Sequence, residues 1–273
     1  MLNKKEIINS EKRCKIYRRK ILDVSQQVFA LHLGGSFSCL EMLDYIYNFY
    51  IPNRKKKHIH DNIFIMSKGH SCMAQYVILQ TRGILKKKDL NEYCKSKGIL
   101  GCHPDYGNPG IEASTGSLGH GLALAVGICH ANKIQRSKSK VFVILSDGEL
   151  QEGSTWEALM MAANLNLDNL FCFLDNNGSQ SYGVTKEEHP KFYPVAEKIK
   201  SFNWEVSEVD GHNISDIDKK FNNRKTKKPF FIIGNTVKGK GVSFMENKPV
   251  WHYMSPTKEQ YQIAKKEIEK GFK

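Results

Sequence analysis

Val141-Phe142-Val143-Ile144-Leu145-Ser146-Asp147-Gly148 is the stretch on which the fold turns. Five apolar residues in a row, with no polar alternation, suit a strand buried on both faces of a parallel sheet. The polar Ser-Asp-Gly that follows sits at the carboxyl end of that strand, where open α/β sheets bind their ligands. The same pattern recurs on either side. Asn62-Ile63-Phe64-Ile65-Met66 runs into Ser67-Lys68-Gly69-His70, residues 170–174 run into Asp175-Asn176-Asn177-Gly178, and residues 230–233 precede Lys238-Gly239-Lys240-Gly241. Residues 118–132 and 154–166 read as helices between these runs. The alternation predicts a doubly wound α/β fold, a mainly parallel sheet with helices on both faces, as one domain over 1–273. Residues 1–30 read as a surface helix, Gly34-Gly35 as a break, and Leu40, Leu43, Ile46, Tyr47 and Tyr50 as one face of a second helix. The tail from Thr257 reads as a charged amphipathic helix.

Composition narrows the function classes. A 40% hydrophobic fraction over 273 residues supports one substantial core. The net charge of +13 raises the question of a polyanion partner. Its lysines fall in short clusters at loop positions (Lys55-Lys56-Lys57, Lys86-Lys87-Lys88, Lys227-Lys228), with no aromatic-interleaved stripe, so solvated faces are expected and nucleic acid is not. No apolar run is long enough to span a bilayer, and the charged N-terminus lacks a signal-peptide core, so no membrane association and a cytoplasmic location are expected. Seven cysteines, an odd count with no C-x-x-C pair, argue for small core or loop residues in a reducing compartment rather than disulfides or zinc.

Asp147 and Asn177 each follow a buried strand. A carboxylate and an amide oxygen are hard ligands suited to Mg²⁺ or Ca²⁺. Mg²⁺ takes few protein carboxylates and completes its octahedron with phosphate and water, so this pair implies a bound diphosphate. The alternative is that Asp-Gly and Asn-Gly are simply turn formers. Ser114-Thr115-Gly116-Ser117-Leu118-Gly119-His120-Gly121 opens a helix of small residues, and amides at such a start bind phosphate. Close helix packing is the other use of those glycines. His32, His70, His103 and His252 lie near glycine, proline or tryptophan in loops, where imidazoles can bind hydroxyls and phosphates or relay protons. No paired spacing supports zinc.

Together these motifs resemble the N-terminal half of transketolase, from about Ile21 to about Trp251. Ser146-Asp147-Gly148 through Asp175-Asn176-Asn177 is similar to the thiamine-diphosphate signature. Glu149, Glu152-Gly153 and Trp156-Glu157 are similar to the form in two-subunit transketolases. The resemblance implies Mg²⁺ on Asp147, Asn177 and the Ser179 carbonyl, with Ca²⁺ or Mn²⁺ as substitutes. It implies thiamine diphosphate held by His70, Gly148, the backbone of Gly116, Ser117 and Leu118, and by Glu152, Asn177 and Lys238. His32, His103 and His252 are then the catalytic histidines of the substrate channel. The implied reaction transfers a two-carbon ketol unit between small sugars or sugar phosphates. The pyrimidine-binding and C-terminal domains are expected on a partner chain, in an α₂β₂ assembly. Alternatives are a related thiamine enzyme acting on a 2-oxoacid or modified sugar, or a non-catalytic scaffold. The chain departs from the family at Ser146, at Ser179-Gln180-Ser181-Tyr182-Gly183 and at Tyr253, which stands where a glycine is usual. The last departure predicts a narrowed or reshaped channel.

Overall fold

In the computed structural model, which describes residues 1–29, 31–53, 58, 60–181 and 183–271, the apolar runs become the strands of one sheet. The strands are β1 (Ile63–Met66), β2 (Val141–Ser146), β3 (Leu170–Asn176), β4 (Glu205–Asp210) and β5 (Phe230–Asn235). Their order is β1-β2-β3-β5-β4, and every neighbouring pair is parallel. The pleat divides the strand residues between two cores. Phe64, Phe142, Ile144, Phe171, Phe173, Phe230 and Ile232 face one side, and Ile65, Val143, Leu145, Cys172, Leu174, Phe231 and Ile233 the other. Each such buried side chain stabilises the fold by about 1.5–3 kcal/mol.

Helices cover both faces. The first core is closed by α1 (Lys4–Ser25), α2 (Leu33–Ser38), α3 (Leu40–Phe49) and α4 (Cys72–Thr81). A short α5 (Lys87–Asn91) follows. The second core is closed by α6 (Gly121–Ile134) and α7 (Gly153–Asn164), then, beyond the short α8 (Thr185–Glu188), by α9 (Val195–Ser201). Finally α10 (Ile214–Asn222) and α11 (Lys258–Lys270) return to the first side. The long terminal helices start on capping boxes, Asn3 with Glu6 and Thr257 with Gln260.

Three local expectations change. The first helix ends at Ser25 rather than near residue 30. Gly34 and Gly35 do not break the chain; they lie inside α2. A Cβ at Gly34 would stand 3.0 Å from both Lys238 Cγ and the Trp251 carbonyl, so this glycine serves close packing. The strand β4 was not expected, because only Val206 and Val209 in Glu205-Val206-Ser207-Glu208-Val209-Asp210 are apolar. It is an edge strand, and its neighbour β5 supplies the register. Lys55-Lys56-Lys57 and Tyr182 lie outside the described residues.

Candidate active site

The polar strand ends converge on a cavity of about 420 Å³. His70 follows β1, Gly148 follows β2, Asn177 and Ser179 follow β3, and Lys238 follows β5. Gly116 and Leu118 enter ahead of α6, and His252 and Glu152 complete the wall. Loops far apart in sequence meet because parallel strands put all their carboxyl ends on one side.

At the deep end, Asp147 is fully buried behind Gly148. Its Oδ1 accepts from Gly148 N at 3.1 Å and its Oδ2 from the Thr185 hydroxyl at 3.2 Å. Burial first, then the nearby Asp175 carboxylate, push its pKa up to about 7. Asp175 is buried too but keeps its charge, since the Lys68 ammonium beside it and further donors outweigh desolvation and hold its pKa down. It accepts from Lys68 Nζ, Ser38 Oγ (2.5 Å), Asn177 Nδ2 (3.0 Å) and Thr236 Oγ1. A carboxylate can only accept. Asn177 must therefore turn its NH₂ toward Asp175, which directs its amide oxygen the other way, where Ser179 N donates to it at 3.1 Å. The corner thus offers one carboxylate and one oriented amide oxygen. That donor set fits a hard divalent cation, which would supply the positive charge that Asp147 lacks.

At the other end, four imidazoles cluster. The His32 ring lies 5.4 Å from His70, 5.1 Å from His252 and 6.5 Å from His103. Burial, reinforced by neighbouring cations, pushes the pKa of His32 down to about 4 and that of His252 down to about 3, and the same causes hold His70 well below the usual imidazole range. These three are neutral at pH 7. Lys238 Nζ donates to the Gln180 carbonyl at 2.8 Å and contacts His252 Nδ1 at 3.2 Å. An ammonium has no lone pair, so Nδ1 of His252 is the acceptor and Nε2 carries the proton. His32 Nδ1 is buried without a hydrogen-bond partner. The half-exposed Tyr253 ring lies 4.6 Å from His32. Burial and the nearby Lys68 lower the pKa of Lys238 to about 8, so a bound anion would restore its basicity.

The loop ahead of α6 forms the cradle between these ends. Gly116 has φ +149°, and a Cβ there would stand 2.9 Å from the His103 ring. Only glycine lets the backbone pass so close. Glu149 braces the loop from behind, accepting from Ser67 Oγ and, at 3.0 Å, from Gly119 N. Ser117 faces the opposite side, where it joins His120, Leu124, Gly127 and Ile128 in an apolar groove along α6. The glycine floor and the hard oxygens beside it fit the chemistry of a diphosphate with its counter-cation.

Lys68, Asp175 and Glu149 received no role from the sequence. Their signal was their place in strand-end loops already singled out, but what they touch depends on pairing across the sheet. Among the described residues, no group of three or more His, Cys, Asp or Glu side chains is arranged to hold a metal. No helix among them is long and apolar enough to cross a membrane.

Parallel α/β sheets whose loops meet in a cavity beyond the carboxyl ends of the strands form a broad class of ligand-binding proteins. Within it, this chain belongs to the family described as transketolase, thiamine diphosphate binding domain, which matches residues 10–273. It is 37% identical to an apulose-4-phosphate transketolase subunit of Phocaeicola vulgatus, over 92% of this chain and 90% of that one. It is 34% identical to a 6-deoxy-6-sulfo-D-fructose transketolase subunit of a Clostridium species, over 96% and 97%. The transketolase of Campylobacter jejuni superposes with a TM-score of 0.89 at 25% identity, covering 95% of this chain but 42% of that longer one.

Proposed function

We propose that this chain is the cofactor-binding subunit of a two-chain transketolase, a transferase that moves a two-carbon ketol unit from a ketose to an aldehyde. The observation that carries this reading is one cavity lined both by hard oxygens, at Asn177 and Ser179, and by neutral histidines, at His70 and His252. In it, Asp147, Asn177 and the Ser179 carbonyl hold Mg²⁺, for which Ca²⁺ or Mn²⁺ can substitute. His70, Gly148, Lys238 and the Gly116–Leu118 backbone hold the diphosphate, with Asn177 shared between the two and Glu152 at the rim. Bound thiamine diphosphate would supply the electron sink that lets a carbon–carbon bond beside a carbonyl break and re-form.

The protein's own task is orientation and proton handling. His32, His103 and His252 line the path to the cofactor and bind substrate hydroxyls. Neutral imidazoles both donate and accept, so His32 and His252 can pass a hydroxyl proton without first losing one. Low water content around these buried rings strengthens each hydrogen bond.

The chain supplies one domain; pyrimidine-binding and C-terminal domains belong to a second chain, as relatives of similar length that are themselves named transketolase subunits suggest. We place that chain against the apolar outer face of α6, next to the cradle, in an α₂β₂ assembly. The relatives' names favour small sugars carrying a phosphate or sulfonate as substrates. Seven free thiols in a chain with no candidate membrane helix among its described residues accord with a cytoplasmic location.

Calorimetric titration of thiamine diphosphate with Mg²⁺ tests the reading, on this chain alone and with its partner, with Asp147→Ala as control. Tight binding only in the pair, lost in the variant, is expected. No binding in either preparation would leave a scaffold.

A further inference from the structure

Five of the seven cysteines are buried, and the two exposed ones, Cys94 and Cys102, share one place. Cys94 N donates to the Leu100 carbonyl at 2.9 Å, closing a tight loop that returns the chain to Cys102. That contact sets Cys94 beside the segment that carries Cys102, and the Cys102 thiol joins burial in pushing the Cys94 pKa up. Cys102 Sγ in turn stands 3.3 Å from Nδ1 of His103, the imidazole that packs against Gly116 of the cradle. The backbone behind these groups is pinned from α4. Cys72 Sγ donates to the Cys102 carbonyl at 3.2 Å, and the Tyr76 hydroxyl donates to the His103 carbonyl at 2.8 Å. The two outer sulfurs are thus free to react, while the chain that carries Cys102 and His103 is held in place.

We propose that Cys94 and Cys102 form a peroxide-sensitive dithiol site, with Cys102 the attacking thiol, His103 its base and Cys94 the resolving thiol. In the first step, His103 Nδ1 takes the Cys102 proton and the sulfur attacks one oxygen of hydrogen peroxide. An S–O bond forms, the O–O bond breaks, and the departing hydroxide takes the proton from His103 and leaves as water. Cys102 is now a sulfenic acid. In the second step, the Cys94 sulfur attacks the Cys102 sulfur. The S–S bond forms, the S–O bond breaks, and the departing hydroxide removes the Cys94 proton as a second water. Two thiols lose two electrons, and one peroxide becomes two waters. A thiol reductant reverses the bridge.

The bridge takes the Cys102 thiol away from His103 and ties the 94–102 loop beside the cradle. The consequence for catalysis rests on His103 serving the channel as proposed above; the thiol chemistry does not.

Peptide mapping of the full-length chain after stoichiometric hydrogen peroxide tests the site. Trypsin separates Cys94, in residues 89–95, from Cys102, in residues 98–133, and from Cys72, in residues 69–82. The expected product is a Cys94–Cys102 link, with fragment ions placing it on Cys102 rather than Cys129. Cys94→Ser should stop at a Cys102 sulfenic acid that dimedone captures. Cys102→Ser should leave Cys94 unmodified, and His103→Asn should slow Cys102 oxidation by about tenfold or more. A Cys72–Cys102 link, first capture at Cys94, or Cys102 reacting no faster than in denatured chain would overturn the assignment. In the assembled enzyme, oxidation should lower activity reversibly in the parent and not in Cys94→Ser. A fully bridged protein with unchanged activity, alongside intact cofactor binding, would refute the coupling to His103 while leaving the proposed function standing.

Discussion

Replacing Lys68 with Met should destabilise the chain far more than a substitution that touches no ligand ordinarily does. Lys68 and Asp175 are both fully buried and in direct contact. Removing one partner of such a pair leaves an uncompensated charge and costs about 3–5 kcal/mol. Asp175 would still accept from Ser38, Asn177 and Thr236, so the low end, about 3 kcal/mol, is the better figure. For a domain of this size that lowers the melting temperature by about 6–12 °C. The pH dependence carries a sign. The folded-state pKa of Asp175 lies below its ordinary value, so its contribution is present above about pH 4 and is lost as pH falls through the folded value. Without Lys68 that pKa rises, and protonation then relieves the stranded charge, so the deficit against the parent should shrink as pH falls from about 7 toward about 4. Lys68→Met with Asp175→Asn removes both charges and should recover most of the loss. Thermal and denaturant unfolding of the parent, both single variants and the double variant gives the coupling directly. A Lys68→Met variant that melts within about 1–2 °C of the parent at pH 7, or whose deficit grows in acid, would refute the argument.

Cation binding should depend on pH through Asp147. With its pKa at about 7 in the ligand-free protein, Mg²⁺ must displace a proton below that pH, so affinity for Mg²⁺ with thiamine diphosphate should fall by up to about tenfold per unit below pH 7 and level off above it. Calorimetry at several pH values in the assembled pair checks this; a flat profile would remove Asp147 from the ligand set. Gly116→Ala should push the His103 ring aside and strain the backbone, weakening cofactor binding by about tenfold and stability by about 1–3 kcal/mol. Titration and melting curves of that variant read both effects. Tyr253→Gly should alter the preference among ketose donors and aldehyde acceptors, with stability changed by less than about 1 kcal/mol because the ring is half exposed. An unchanged substrate panel would mean that the ring over His32 does not shape the channel.

Most of the fold was legible because parallel strands buried on both faces announce themselves as unbroken apolar runs, and β1, β2, β3 and β5 all do. The edge strand β4 does not, since only Val206 and Val209 of its six residues meet a core. The site was legible at the level of loops: Ser67–His70, Ser146–Gly148 and Asp175–Gly178 all reach one cavity or its back wall. The wiring behind the loops was not. Lys68 and Asp175 lie 107 positions apart, and only the β1-β2-β3 register puts them together. Gly34 read as a breaker because glycine's two uses, bending a chain and admitting a neighbour, look alike in one dimension.

The sheet's borders constrain how such a chain can associate. One border is β1, only four residues long, and the other is β4, which carries Glu205, Glu208 and Asp210. A short strand offers few free backbone groups, and repeated carboxylates repel a second strand bearing the same charges. Two copies therefore gain little by joining their sheets into a continuous one. Growth by strand addition, the usual route from a sheet edge to aggregates, is disfavoured at both ends, leaving helix faces and loop rims as the surfaces on which an ordered complex is built.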